Sequence, residues 1–249
     1  MKALKLYGPN DIRLVSREVP VPNAGEVVVR VKAASVCGTD VRMWKNGAKA
    51  ASEQHPLTLG HEFAGVIESV GDGVRRYQPG MRVAVQPNTG CGVCACCLQG
   101  YRHLCRDYEA FGVTFDGAFA QYVRVPASAV AAGNLIILTD DISFAEGAVA
   151  EPLSCIFNGC EKLSPRAGET ALVIGAGPIG IGHAMLLTLS GVNVMMADLE
   201  ESRLAAAKEL VPSITTCLSS EMAQKVMEQT GGLGLDIAVV ACPSPQAQA

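Results

Sequence analysis

The chain has 249 residues, enough for one large domain or two of ordinary size. With 49% hydrophobic and 18% charged residues it can bury a sizeable core, which excludes an intrinsically disordered chain. A formal net charge of −4 excludes an electrostatic case for nucleic acid or an anionic membrane surface as partner.

The N-terminus, Met1 to Leu6, lacks the continuous apolar stretch of a secretory signal. Ten cysteines in such a chain point to metal binding and free buried thiols rather than disulfides, and to the cytoplasm. Residues 1 to about 140 read as short strands broken by glycine and proline. The clearest are 26–32, 64–70, 81–85 and 120–125, rich in β-branched residues and bounded by turn signals. Such a density of short strands predicts an all-β, barrel-like or sandwich-like unit.

The pattern changes near residue 143, where Ser143-Phe144-Ala145-Glu146 has the Ser-x-x-Glu form of a capping box. From Glu169 onward strands alternate with helices. Strands are predicted at 170–174, 193–197, 214–218 and 235–241, with helices at 178–190, 201–210 and 220–229. This order predicts a parallel, doubly wound sheet. A hydropathy window over 171–191 resembles a membrane span, but its glycines fit a strand-turn-helix and Pro178 suits a first helical turn.

Three motifs carry chemistry. Cys91-x2-Cys94-x2-Cys97-x7-Cys105 can converge on one Zn²⁺ with no open position, a structural site. Cys96 stands beside Cys97 as an alternative ligand, and a redox Cys-x-x-Cys is the competing reading. Cys37, His61 and one or both of Glu62 and Glu151 form a candidate catalytic zinc set, Glu151 in an apolar setting where an unpaired carboxylate is costly. Gly175-x-Gly177-x-x-Gly180 follows an apolar strand and opens a helix, the context in which glycines admit a pyrophosphate. Asp198, eighteen residues past Gly180, suits an adenosine ribose and repels a 2′-phosphate, favouring NAD over NADP. Cys155, Cys160, Cys217 and Cys242 are expected in the core, while His55, His103 and His183 show no readable partner.

The succession Cys37-Gly-Thr-Asp, Gly60-His61-Glu62-x-x-Gly65, the four-cysteine loop, Glu151-Pro152-Leu153 and Gly175-Ala-Gly-Pro-Ile-Gly180 resembles the zinc-dependent medium-chain alcohol and polyol dehydrogenases, nearest the sorbitol and threonine dehydrogenase branch. The resemblance implies a GroES-like β-barrel catalytic domain over 1–152 and an incomplete Rossmann domain over 153–249. It implies a catalytic zinc on Cys37 and His61, with Glu62 and Glu151 completing or exchanging in its shell, and a structural zinc on the four cysteines. Thr39 would pass the substrate proton onward, Asp198 and Arg203 would frame the ribose, Ile179 would pack near the NAD, and Met43 and Phe115 would line the substrate pocket. The implied activity is hydride transfer between a polyol, sugar alcohol or other secondary alcohol and NAD, with L-threonine as an alternative substrate and a homo-oligomer as the assembly. Members of that family continue beyond this point to a six-stranded sheet. A C-terminally truncated, poorly active or non-catalytic product binding zinc and nucleotide is therefore the other expectation.

Overall fold

The computed structural model describes residues 1–244 and Ala247. It divides into two compact units, Met1–Glu151 and Pro152–Ala249.

The first unit contains β1 (Lys2–Gly8), β2 (Asp11–Ser16), β3 (Val27–Ser35), α1 (Gly38–Asn46), β4 (Leu57–Thr58), β5 (Glu62–Val70), β6 (Arg82–Val85), β7 (Asn88–Thr89), α2 (Ala95–Leu98), β8 (Glu109–Ala110), β9 (Tyr122–Val125), α3 (Ala127–Ala131) and β10 (Leu135–Ile137). A five-stranded antiparallel sheet runs β10-β6-β5-β3-β9, beside a three-stranded sheet β2-β1-β4. Inward residues Val27, Val29, Phe63, Ile67, Val83, Val85, Val123 and Val125 form its core with Tyr77 and Phe111. Phe63 and Phe111 meet edge to face at 5.7 Å. Each such ring or branched side chain contributes about 1.5–3 kcal/mol by leaving water. The sequence reading did not name α1, the β1-β2 hairpin or the two-residue strands β4, β7 and β8. The short strands exist only through pairing with strands distant in the sequence, which local composition does not carry.

Helix α4 (Phe144–Leu163) opens with the expected capping box. The Ser143 amide and hydroxyl donate to Glu146 Oε2 at 2.7 and 2.6 Å, and the Glu146 amide donates back to Ser143 Oγ at 3.2 Å.

The second unit continues with β11 (Thr170–Ile174), α5 (Pro178–Leu189), β12 (Asn193–Asp198), α6 (Glu201–Leu210), β13 (Thr215–Leu218), α7 (Met222–Gln229) and β14 (Ile237–Val240). All strand pairs are parallel, in the order β13-β12-β11-β14. Ala171, Val173 and Met196 pack on one face with Ala184 and Leu187, while Leu172, Met195 and Ala197 pack on the other with Cys217 and Val226. Burial on both faces is why β11 and β12 read as nearly continuous apolar runs. The strand order reverses between β11 and β14, the kind of switch point at which doubly wound sheets take ligands. The stretch 171–191 is thus a strand, a glycine turn and a helix, and no helix among the described residues is long and apolar enough to cross a membrane.

One expectation is corrected here. Cys155 lies exposed on α4 rather than in a core, whereas Cys160 and Cys217 are buried and Cys242 is half-buried. Met43 packs with Leu6, Leu57 and Leu59 in a small core beneath α1. Phe115 stacks at a tilt on Phe111 at the edge of the main β core and forms part of the wall of a groove in the first unit.

Candidate metal centres and dinucleotide loop

Antiparallel pairing of β3 with β5 sets Ser35 opposite Glu62. That register brings Cys37, just past β3, to His61 and Glu62 at the start of β5. One ligand atom from each of Cys37, His61 and Glu62 lies within 4.8 Å of the others. His61 and Glu62 are buried, and Ser35 Oγ donates a hydrogen bond to Glu62 Oε2. Cys37 is the N-cap of α1. Asp40, only 3% exposed, ties the two ligand-bearing turns: its Oδ2 accepts the Cys37 amide at 2.9 Å and its Oδ1 accepts the Gly60 amide at 3.0 Å.

Gly60 carries the turn before His61. Its φ is +93°, and a Cβ there would come within 2.7 Å of Phe119 Cδ1. The backbone of 117–119 lies along it, with Gly117 N donating to Thr58 O, Ala118 N to Gly60 O and Phe119 N to Leu59 O at 2.7–2.9 Å.

The donor set fits a divalent cation. His61 Nδ1 is buried without a hydrogen-bond partner among the described residues, its nearest anionic neighbour being Asp40 Oδ1 at 3.6 Å. Burial pushes the imidazole pKa down, but Asp40 and Cys37 outweigh it and lift His61 to about 10. An orphaned buried imidazole nitrogen beside a thiol and two carboxylates is a fitting cation site, and thiol, imidazole and carboxylate are zinc donors. Glu151 does not join this group; it is half-buried in α4. Thr39 is half-buried in the first turn of α1.

The four thiols of Cys91, Cys94, Cys97 and Cys105 also lie within 4.8 Å of one another. Cys94 caps α2, which swings Cys97 inward, and a 3-10 turn at Arg102–Leu104 delivers Cys105. Cys97 and Cys105 are buried, while Cys96 is half-buried and outside the group. A Cβ on Gly90 would stand 2.6 Å from Cys97 Sγ, so only glycine leaves room for this convergence. The amides of Val93 and Cys94 pull the Cys91 thiol down to about 7. At Cys97 the Gly92 amide is outweighed by burial and the neighbouring sulfurs, which push it up to about 12. Four sulfurs this close cannot all ionise without a cation between them, so the set fits zinc.

Gly175, Gly177 and Gly180 each meet a different demand at the switch point of the second unit. Gly175 has φ +107°, and a Cβ there would stand 3.0 Å from Ala241 O just past β14. A Cβ on Gly180 would fall 1.8 Å from Gly175 O, so helix and strand pack backbone to backbone. Gly177, the N-cap of α5, faces open space, the cradle an anionic group needs at a helix N-terminus. Asp198, 7% exposed at the end of β12, accepts the Ala176 amide at 2.7 Å and the Glu200 amide at 3.0 Å. Burial opposes its charge, but those amides and Arg203 hold the carboxyl below its ordinary value. It stays anionic with lone pairs to spare for a ribose. Ile179 is 39% exposed beside the loop. A groove of about 840 Å³ in the first unit, lined by Arg17, Tyr122 and Arg124 among others, shares no residue with these centres.

Asp40 is the site residue the sequence reading left without a role. Its signal was the Cys-x-x-Asp spacing, a capping box with cysteine in place of serine.

Residues 23–134 match the alcohol dehydrogenase GroES-like domain. The chain is 38% identical to the starvation-sensing protein RspB of Escherichia coli (strain K12) over 84% of its own length and 60% of that protein's. It is 31% identical to sorbitol dehydrogenase of Bacillus subtilis (strain 168), covering 99% of this chain and 70% of that one. Against L-threonine 3-dehydrogenase of Bacillus velezensis the identity is 35%, covering 95% and 68%. The crystal structure of an rspB alcohol dehydrogenase from E. coli CFT073 in complex with NADH superposes with a TM-score of 0.87 at 33% identity, covering 98% of this chain and 70% of that one. With its two thiol-bearing donor sets and its glycine loop, this chain belongs to the zinc-dependent medium-chain alcohol and polyol dehydrogenase family.

Proposed function

We propose that this chain carries the zinc- and NAD-binding machinery of a dehydrogenase acting on a polyol, sugar alcohol or other secondary alcohol. The observation that carries this reading is the convergence of Cys37, His61 and Glu62 within 4.8 Å, in a chain that also presents the Gly175–Gly180 loop. Cys37, His61 and Glu62 would hold the catalytic zinc, and Cys91, Cys94, Cys97 and Cys105 the structural one. When bound, zinc supplies the Lewis acidity that lowers the pKa of a substrate hydroxyl, and NAD supplies the hydride acceptor. The chain's own residues bind, orient and manage the proton. Glu62, kept in place by Ser35, balances charge at the zinc donor set. Thr39 Oγ1 takes the proton that the hydroxyl releases and hands it to solvent. Gly175, Gly177 and the α5 N-terminus would hold the pyrophosphate, while Asp198 would accept hydrogen bonds from the ribose with Arg203 beside it. The same carboxylate repels a 2′-phosphate, which selects NAD. Homo-oligomer formation belongs to the same proposal.

The test combines zinc analysis, NAD titration by calorimetry and NADH formation from a panel of polyols, secondary alcohols and L-threonine. About two zincs per chain and NAD binding stronger than NADP binding are expected. A folded chain holding one zinc on the four-cysteine loop and none on Cys37, His61 and Glu62 overturns the reading. Because the chain spans 60% of RspB and 70% of the sorbitol dehydrogenase, binding rather than turnover is the deciding readout.

A further inference from the structure

The second unit contains a thiol–imidazole pair that belongs to neither donor set nor to the dinucleotide loop. Cys160 on α4 and His183 on α5 are 7% and 8% exposed, with Sγ 3.2 Å from Nδ1. Two glycines let the helices approach. A Cβ on Gly159 would stand 2.8 Å from His183 Cε1, and one on Gly182 would stand 2.5 Å from Ile156 Cδ1. The imidazole therefore lies against bare α4 backbone, aimed at the next residue's sulfur. The pair is not sealed. Cys160 forms part of the wall of a groove of about 460 Å³, with Phe157, Pro165, Leu186 and Leu189 as its apolar lining. Glu161 is the one charged residue on that lining, so the groove disfavours anions.

We propose that Cys160, with His183 as its base, is a covalent modification site for small, neutral, apolar electrophiles of the α,β-unsaturated carbonyl class. The groove admits the reagent's apolar body and brings its β-carbon to Sγ. As the sulfur–carbon bond forms, the S–H bond breaks and its proton moves to His183 Nδ1. The electron pair of the carbon–carbon double bond passes to the carbonyl oxygen as an enolate. The α-carbon then takes the proton back from the imidazolium, leaving a thioether and a neutral pair, with no oxidant or reductant consumed. Burial pushes the Cys160 thiol up and His183 down, so both stand neutral until the reagent arrives. This separates the site from an exposed thiolate, which would react with charged and neutral reagents alike.

Cys217, 5% exposed on β13, is the reference thiol within the same chain. The folded, zinc-loaded full chain is treated with N-ethylmaleimide, and adducts at Cys160 and Cys217 are followed by peptide mass spectrometry. Cys160 should react about 100-fold faster than Cys217, a normal gain from a positioned base. His183→Gln should remove most of that advantage, and in urea the two thiols should react alike. Equal rates at Cys160 and Cys217 in the folded wild-type chain overturn the proposal without recourse to any variant. So does an undiminished Cys160 rate in a folded His183→Gln chain.

Discussion

Asp40 holds Gly60 by its amide at 3.0 Å, and through that bond it sets where His61 begins. The other carboxylate oxygen holds Cys37, so one buried side chain spaces two donors that are 24 residues apart. Asp40→Ala leaves both amides unpaired, at about 1–3 kcal/mol each. It should also weaken zinc at Cys37, His61 and Glu62 by about 10–100-fold, the usual cost of losing an orienting partner. Urea unfolding and chelator competition measure the two effects, and unchanged zinc affinity would refute the positioning role.

The two glutamates near the candidate catalytic zinc should behave differently. Glu62→Gln removes a charge from inside the 4.8 Å group and should loosen that zinc, whereas Glu151→Gln should leave the zinc content unchanged. Metal analysis after dialysis against a chelator decides between them.

In the cysteine loop, Cys97→Ser should lose one zinc per chain and loosen the lobe, while Cys96→Ser should keep both metals. Loss of zinc on replacing Cys96 would reassign the ligand set.

Gly177 and Gly180 separate binding from folding. Gly177→Ala meets open space and an ordinary φ of −85°, so the melting temperature should hold while NAD affinity falls. Gly180→Ala drives a Cβ into Gly175 O and should cost about 1–3 kcal/mol or more in stability. Calorimetry with NAD and thermal melts on both variants give the comparison.

Burial lowers the His183 pKa below 6.5, so the unfolded chain binds that proton more readily than the folded one. Stability from this group is therefore complete above the unfolded value and declines as the pH falls below it. The urea midpoint should drop between about pH 7.5 and about pH 5.5, and by less in His183→Gln. An identical drop in both proteins would assign the effect to other groups.

The parallel sheet was largely legible before folding because its central strands β11 and β12 are buried on both faces and the helix after the glycine turn announces its start. Pro178 and the glycine turn mark α5, and the predicted helix at 201–210 is the observed α6. The β unit was legible as a class but not in detail. In β1 two lysines interrupt the apolar residues, and Lys5 is buried because Asp116 and the Pro56 carbonyl meet its ammonium at 2.8–3.1 Å. Those partners lie 51 and 111 residues away, beyond any local pattern.

The amino-acid sequence alone determined what the chain's short reach allows: four thiols close enough to share one cation, and a glycine turn between strand and helix. Only the tertiary structure decided which distant groups meet. The Ser35–Glu62 register brings Cys37 to His61, Asp40 turns inward to hold both turns, Glu151 stays outside the group and Met43 goes into a core. A strand shifted by one residue turns every side chain to the opposite face, so these outcomes depend on long-range pairing that no local motif encodes.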